Sequence, residues 1–404
     1  MLANVKNSIA EGTVFAPPSK SMAHRLLICA GLSDVITTVN NVAFSQDILA
    51  TLDCLKAIGA DINIDGDVVR VKGVTPDKFN DNIVANCRES GSTLRFFVPI
   101  LLLCSKKSTL IGSEYLFHRP LDVYKEICDI QGIEFDLSDS KLSINGKLSS
   151  GEYCIKGDVS SQFISGLLFA LPLLKNDSII HIAPPVESRS YINMTIDALK
   201  TFGVNVFWQD ATTLIVKGNQ RYLKESVTVE GDYSNAAFFE AFNRIGGKIE
   251  LLGLNNNSLQ GDKVYNSLFD ELEKGCPNID VSDCPDLAPI LITMAALKNG
   301  AAFFGTKRLA IKESNRGAAI AEELAKFGAD ITVFDDKIIV KKANLHAPNA
   351  VLNGHNDHRI VMSLSVIASV YGGSINQAQA IRKSFPDFFY KIKLLGIKVD
   401  LDDN

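Results

Sequence analysis

Long apolar runs are missing from this sequence. The two longest, Phe96 to Cys104 and Gly166 to Leu174, cover nine residues each, about half of the ~18 needed to cross a bilayer. They read as buried helices, and no membrane partner is expected. Metal-ligand spacing is missing too. The eight cysteines stand at 29, 54, 87, 104, 128, 154, 276 and 284 without any CxxC or Cys/His pattern, which excludes a zinc framework and argues for reduced thiols in a cytosol. The opening MLANVKNSIAEG has neither a basic-then-apolar signal nor Arg-rich transit character, so a cytoplasmic location is expected. A basic excess is also absent. The net charge of −5 disfavours a nucleic-acid partner, and any anion must be bound by local design.

What the chain does have is a repeat. A helix ending in Gly, an alternating strand, a short polar turn and a second alternating strand recur as LDCLKAIGADINIDGDVVRVKG, EICDIQGIEFDLSDSKLSING, DALKTFGVNVFWQDATTLIVKG, ELAKFGADITVFDDKIIVKK and a cut-off KIKLLGIKVDLDDN. A shortened copy, DELEKGCPNIDVSD, precedes the ELAKFGAD phrase. The glycines at 59, 132, 203, 275, 328 and 396 are placed to end each helix in the left-handed conformation. A more apolar helix lies between successive copies, starting near 21, 91, 160, 234, 285 and 357. Each unit is then βαβαββ, six in all. At 404 residues the chain exceeds what one core usually serves, so three units per domain is the natural partition. The expected division is 13–228 for one domain, and 1–12 with 229–404 for the other.

Equivalent helices in repeated units point their N-termini the same way. Each end carries unbonded N–H groups and about half a positive charge, so a face that collects them is an anion site, and two such faces would form a cleft. The polar clusters fall on those helix starts. Lys20-Ser21 with His24 and Arg25 opens the first, Glu89-Ser90-Gly91-Ser92-Thr93-Leu94-Arg95 the second, and Ser160-Ser161-Gln162 the third. The second helices follow with Arg119-Pro120, with Ser188-Arg189-Ser190-Tyr191, and with Lys312-Glu313-Ser314-Asn315-Arg316; Asp286 falls in the first turn of the fifth first helix, Asn356-Asp357-His358-Arg359 opens the sixth, and Lys383 precedes Phe385-Pro386-Asp387. A P-loop is excluded, since no Gly-xxxx-Gly frame precedes Lys20-Ser21. Any one cluster is explained as a helix cap or solvated charge. Together, so many bases would repel one another unless a polyanion completed the site. Asp286 and Glu313 among them are candidates for proton transfer. His355 and His358 have no third ligand group in sequence, so no metal is expected.

In order, PSKSMAHR, ESGSTLRFF, HRPLD, VSSQF, ESRSYI, CPDLAP, KESNR, NDHR and KSFPDF resemble the 3-phosphoshikimate 1-carboxyvinyltransferase family, also called 5-enolpyruvylshikimate-3-phosphate synthases, along nearly the whole chain. The resemblance implies an α/β enolpyruvyl transferase fold of two inside-out α/β domains. It implies transfer of the enolpyruvyl group of phosphoenolpyruvate to shikimate 3-phosphate, on the route to aromatic amino acids, with no cofactor or metal. By the same resemblance Lys20, Ser21 and Arg25 would hold shikimate 3-phosphate. Ser160, Ser161 and Ser188 would take its phosphate, with Gln162 and Tyr191 along its ring and Asp286 and Lys312 on its hydroxyls. Lys20, Gly91, Arg119, Gln162, Arg316, Arg359 and Lys383 would hold phosphoenolpyruvate. Asp286 would be the base, Glu313 the acid, and Lys20 would help the phosphate leave. A monomer that closes around its substrates is expected.

The departures from the family pattern are few. Pro18 stands where Gly is frequent, Ser92 where Thr is, and Asn315 where Asp is; Arg308 occupies a place often held by a ligand-binding Asn, so no role is carried to it. The rival within enzymes is the sister family that transfers the same group to UDP-N-acetylglucosamine. Its typical Cys before Arg-Pro is absent from Gly112-Ser113-Glu114-Tyr115-Leu116-Phe117-His118. A rival of another class, a non-catalytic binding protein on the same fold, would be expected to have lost Asp286, Glu313 or several arginines.

Overall fold

Alternation of buried and exposed side chains builds the strands, and near-total burial marks the helices they enclose. The computed structural model describes residues 1–402. The chain divides into two compact units, Pro18–Glu230, and Met1–Pro17 with the chain from Gly231 onward.

The Pro18–Glu230 unit holds four-stranded sheets of one plan. In one, Ile83–Asn86 lies parallel to Ser108–Ile111, and the hairpin Glu134–Ser138/Lys141–Asn145 adds on antiparallel. Glu152–Lys156, Ser178–Ala183 and the hairpin Val206–Trp208/Thr213–Val216 repeat it. The remaining sheet takes its first strand from the far end of the unit: Ser226–Thr228 pairs parallel with Ile36–Asn40, beside the hairpin Asp61–Asp65/Val68–Lys72. The helices Lys20–Gly31, Gly91–Leu101 and Ser161–Ala170 are buried on nearly every residue. A helix apolar all round has to sit inside a core, and here the sheets surround it.

In the other unit Glu11–Phe15 pairs parallel with Lys248–Leu252 in a two-stranded sheet. Asn278–Asp280, Gly300–Phe304 and the hairpin Asp330–Val333/Lys337–Lys341 follow the common plan. In the sixth repeat the N-terminal strand Leu2–Val5 takes the place of the second hairpin strand, antiparallel to both Gly373–Asn376 and Val399–Asp402. Tyr233–Arg244, Ala288–Leu297 and His358–Tyr371 are the enclosed helices here.

The units divide at Pro17/Pro18 and Glu230/Gly231, where 12/13 and 228/229 were expected, because strand Glu11–Phe15 pairs within the second unit. Two further details differ from the sequence reading. The shortened copy is no hairpin, because Asn278–Asp280 opens the fifth unit by pairing with Gly300–Phe304; its connection is too short to turn a strand back. Gly275 accordingly lies in extended backbone at φ 174, whereas Gly59, Gly132, Gly203, Gly328 and Gly396 have φ between 66 and 112, the region that favours glycine. Among the described residues no helix is long and apolar enough to cross a membrane.

Candidate active site

Helix capping fixes the first polar cluster, in the Pro18–Glu230 unit. Ser19 accepts from the Met22 N–H, Ser90 from Thr93 and Ser160 from Gln162, so these three helices start at defined residues. Ser160, expected on a phosphate, serves here as a cap, and Ser161 follows it at the first helical position. Lys20 Nζ is 2.8 Å from Asp47 Oδ2, an acid in the first turn of Gln46–Ile58 that the sequence reading did not pick out.

Arg25 is 3% exposed and is held by neutral oxygens: Nε donates to Thr195 Oγ1 at 2.9 Å, Nη1 to the Ser21 carbonyl at 2.7 Å and Nη2 to the Tyr191 carbonyl at 2.9 Å. Burial pushes its guanidinium down to about 10. Arg95 is likewise lowered, by burial and then by Arg119. It donates to Gln162 Oε1 at 2.7 Å and to the Pro120 carbonyl at 3.0 Å, while Gln162 Nε2 donates to Ser92 Oγ at 2.9 Å. The Gln162 amide is thereby fixed at both ends. Gly91 starts its helix against Arg119: a side chain at 91 would place its first carbon 2.8 Å from Arg119 Cζ. The missing side chain makes room for that guanidinium. Ser188 is buried and left-handed at φ 53, just before the helix Arg189–Thr201 that carries Tyr191.

The second polar cluster, in the unit completed by Met1–Pro17, is built from carboxylates and arginines together. Asp286 Oδ1 lies 2.9 Å from Arg316 Nη1 and 3.5 Å from Lys312 Nζ, and its Oδ2 lies 3.4 Å from Arg359 Nη2. It stands before its helix, which starts at Ala288 with Leu287 as N-cap; the Cys284–Leu287 turn occupies the expected first helical turn. Asp357, fully buried, caps His358–Tyr371 and accepts from Arg316 Nε at 2.8 Å and Ser314 Oγ at 3.1 Å. Glu313 Oε2 meets His358 Nδ1 at 2.8 Å, and Oε1 lies 3.8 Å from Arg316. Lys383 Nζ donates to the Asn356 carbonyl at 2.7 Å.

Burial alone would lower the charged form of Arg316, but Asp357, Asp286 and Glu313 outweigh it and raise the guanidinium above its ordinary value. Arg359 is raised in the same way, against burial, chiefly by Asp286 and Asp232. Its Nε and Nη1 are buried with no hydrogen-bond partner among the described residues. The bases thus do not stand uncompensated, as the sequence alone implied. Acids distant in the chain offset Lys20, Lys312, Arg316 and Arg359.

Arg308 is buried and donates from Nη2 to the Ser282 carbonyl at 2.7 Å, which bears on the placement of that loop. His358 does gain carboxylate neighbours, Glu313 and Asp357, and His355 gains Glu322 and Glu323. In each group a cation already engages a carboxylate: Arg316 on Asp357 and Lys326 on Glu323. Asp47, Asp357, His358 and the buried acids Asp232 and Asp262 carried no assigned role in the sequence. Only the Asp before His-Arg and the Ser-Gln-Asp helix start hinted at two of them.

Known proteins are similar to this chain over nearly its whole length. Residues 6–392 match the family model described as EPSP synthase (3-phosphoshikimate 1-carboxyvinyltransferase). The chain is 40% identical over 417 residues to the 3-phosphoshikimate 1-carboxyvinyltransferase of Clostridium kluyveri, covering 96% of each. It is also 40% identical over 408 residues to that of Clostridium perfringens, again covering 96% of each. The fold matches a solved EPSP synthase of Acinetobacter baumannii with a TM-score of 0.80 at 21% identity, over 99% of this chain and 100% of that one. A chain with these acids, arginines and repeated units, matched from end to end in this way, belongs to the 3-phosphoshikimate 1-carboxyvinyltransferase family.

Proposed function

We propose that this chain transfers the enolpyruvyl group of phosphoenolpyruvate to the 5-hydroxyl of shikimate 3-phosphate, releasing phosphate, and that both polar clusters serve one turnover. The observation that carries the residue assignments is the joint position of Asp286 and Glu313 on Arg316. Two carboxylates that share one always-charged arginine support a reading of acid and base chemistry next to an anion.

In this reading Lys20, Ser21, Arg25, Ser161, Gln162, Ser188 and Tyr191 hold shikimate 3-phosphate, with Ser160 placing the helix end that meets its phosphate. Asp286 and Lys312 take its hydroxyls. Lys20, the Gly91 backbone, Arg119, Gln162, Arg316, Arg359 and Lys383 bind phosphoenolpyruvate, with arginine forks on carboxylate or phosphate. Asp286 accepts the proton of the 5-hydroxyl, and Glu313, oriented by His358, delivers a proton to the methylene carbon. The cationic carbon that develops is attacked by the 5-oxygen, and phosphate then departs from the tetrahedral intermediate with its charge met by Lys20 and the arginines. The new methyl group returns a proton to the Glu313 carboxylate to restore the double bond, and Asp286 passes its proton to the departing phosphate. We take the working form to be a cytoplasmic monomer.

The decisive experiment mixes purified protein with phosphoenolpyruvate and, in turn, shikimate 3-phosphate or UDP-N-acetylglucosamine. Phosphate release with the first acceptor alone is expected. Release with the second, or with neither, overturns the reading. Sedimentation of the same preparation tests the monomer.

A further inference from the structure

One buried acid beside the arginine cluster has no part in the chemistry above. Asp262 lies on the short 3-10 helix Gly261–Val264 and is 1% exposed. The Ser234 hydroxyl, from the first turn of Tyr233–Arg244, donates to its Oδ2. Charged and titratable groups on neighbouring elements act on it electrostatically: Asp232 at the cap of that helix, Asp286 and Cys284 from the segment leading into Ala288–Leu297, and Arg359 from His358–Tyr371. Burial, then Asp286, push its carboxyl up to about 7, against the pull of Arg359 and Ser234. Burial also raises the Cys284 thiol, which therefore stays protonated.

An anion arriving at the two unpartnered nitrogens of Arg359 adds negative charge to a pocket already holding three acids. Arg316 and Arg359 cannot respond, because guanidinium charge is effectively permanent. Repulsion at short range in a poorly solvated site is large, and among Asp232, Asp262 and Asp286 it is relieved most cheaply by neutralising the one buried most deeply, Asp262. We propose that Asp262 is the proton reservoir of this cluster, taking a proton from solvent onto its carboxylate as an anionic substrate reaches Arg359 and returning it to solvent when product leaves. Asp262 acts through Arg359 and is a positioning residue. The proposal rests on the reading above, in which Arg359 is an anion ligand.

The sign follows from linkage. A group that binds a proton together with the ligand makes affinity fall as pH rises above its free-state value. Sulfate is the clean probe, since it stays fully ionised near neutrality. Its affinity is to be measured for native protein and Asp262→Asn at about pH 6.5 and about pH 8.5, where the native value should weaken by at least about threefold and the variant by less than about twofold. Calorimetry in buffers of high and low ionisation heat should show net proton uptake with sulfate in the native protein and less of it in the variant. Any contribution of His358 is common to both.

Equal pH dependence and equal proton counts in the two proteins, or no saturable sulfate binding, overturn the proposal. If Asp262→Asn does not fold, Ser234→Ala replaces it. Removing that donor destabilises the ionised carboxylate, so the fall in affinity should move to higher pH, and an unmoved profile again overturns the proposal. Phosphate release from both substrates is run beside it. Linked proton uptake without turnover would sink the substrate reading alone, and turnover without linkage would sink the reservoir alone.

Discussion

The two polar clusters, one in each unit, hold their arginines by opposite means. In the Pro18–Glu230 unit Arg25 is gripped by a threonine hydroxyl and two carbonyls, and burial lowers both it and Arg95. Their charge is kept in place without being cancelled. In the other unit Arg316 and Arg359 lie against Asp286, with Asp357 under Arg316, and the acids raise both guanidinium groups despite burial. A cation held by neutral oxygens is poised to gain from an anion, because desolvation has been met and no counter-charge must be displaced. A cation held by carboxylates instead belongs to a cluster able to redistribute protons. On the proposed reading, the first unit would bind anions and the second would bind them while moving protons.

The largest expected effect tests the proton-moving side. Asp286→Asn and Glu313→Gln keep shape but remove the transferable proton, so kcat should fall by roughly two to four decades with substrate affinity largely retained. Steady-state kinetics together with direct binding checks this. Lost affinity with retained kcat would turn these carboxylates into anchors and erase the contrast between the halves.

The next effect is on stability. Asp357→Asn leaves Arg316 buried beside a neutral group, and breaking such a pair costs about 3–5 kcal/mol. Urea unfolding should show the loss. An Arg25→Met variant, in which no carboxylate is orphaned, should lose less stability than Asp357→Asn, and the reverse order would contradict the comparison.

Smaller losses are expected where a single charge meets substrate. Lys20→Met and Lys383→Met each remove a charge-assisted bond, about 1.5–3 kcal/mol, and kcat/KM should drop at least tenfold. Normal kinetics in both would remove these lysines from the site. The smallest change is Gly91→Ala. Its methyl group meets the flexible end of Arg119, and an excess of that size costs about 1–3 kcal/mol in a packed site. The expected readout is a higher KM for phosphoenolpyruvate with little change in melting temperature. An unaltered KM would mean that Arg119 does not depend on the space at 91.

Much of the fold was readable because its signals are local. Gly59, Gly132, Gly203, Gly328 and Gly396 each end a helix in the left-handed region, and period-two alternation marked the hairpins. Gly275 misled because the short copy shares the helix–Gly phrase but lacks the chain to turn back. The polar motifs were readable because they fall on helix starts, where capping and charge leave a pattern. Their partners left little. Asp47 reaches Lys20 across 27 positions and Asp357 reaches Arg316 across 41, and no local rule pairs residues so far apart.

By itself the sequence determined the repeat, the enclosed apolar helices and the polar residues at their starts, because helix and strand periodicity and capping act over a few neighbouring residues. Tertiary structure alone decided which acids offset which bases, that Leu2–Val5 completes the last sheet, and that Gly91 yields its space to Arg119. It also brought Asp262 beside Asp286 and Arg359. Charges interact through space and in proportion to their burial, and both are set only when distant segments pack.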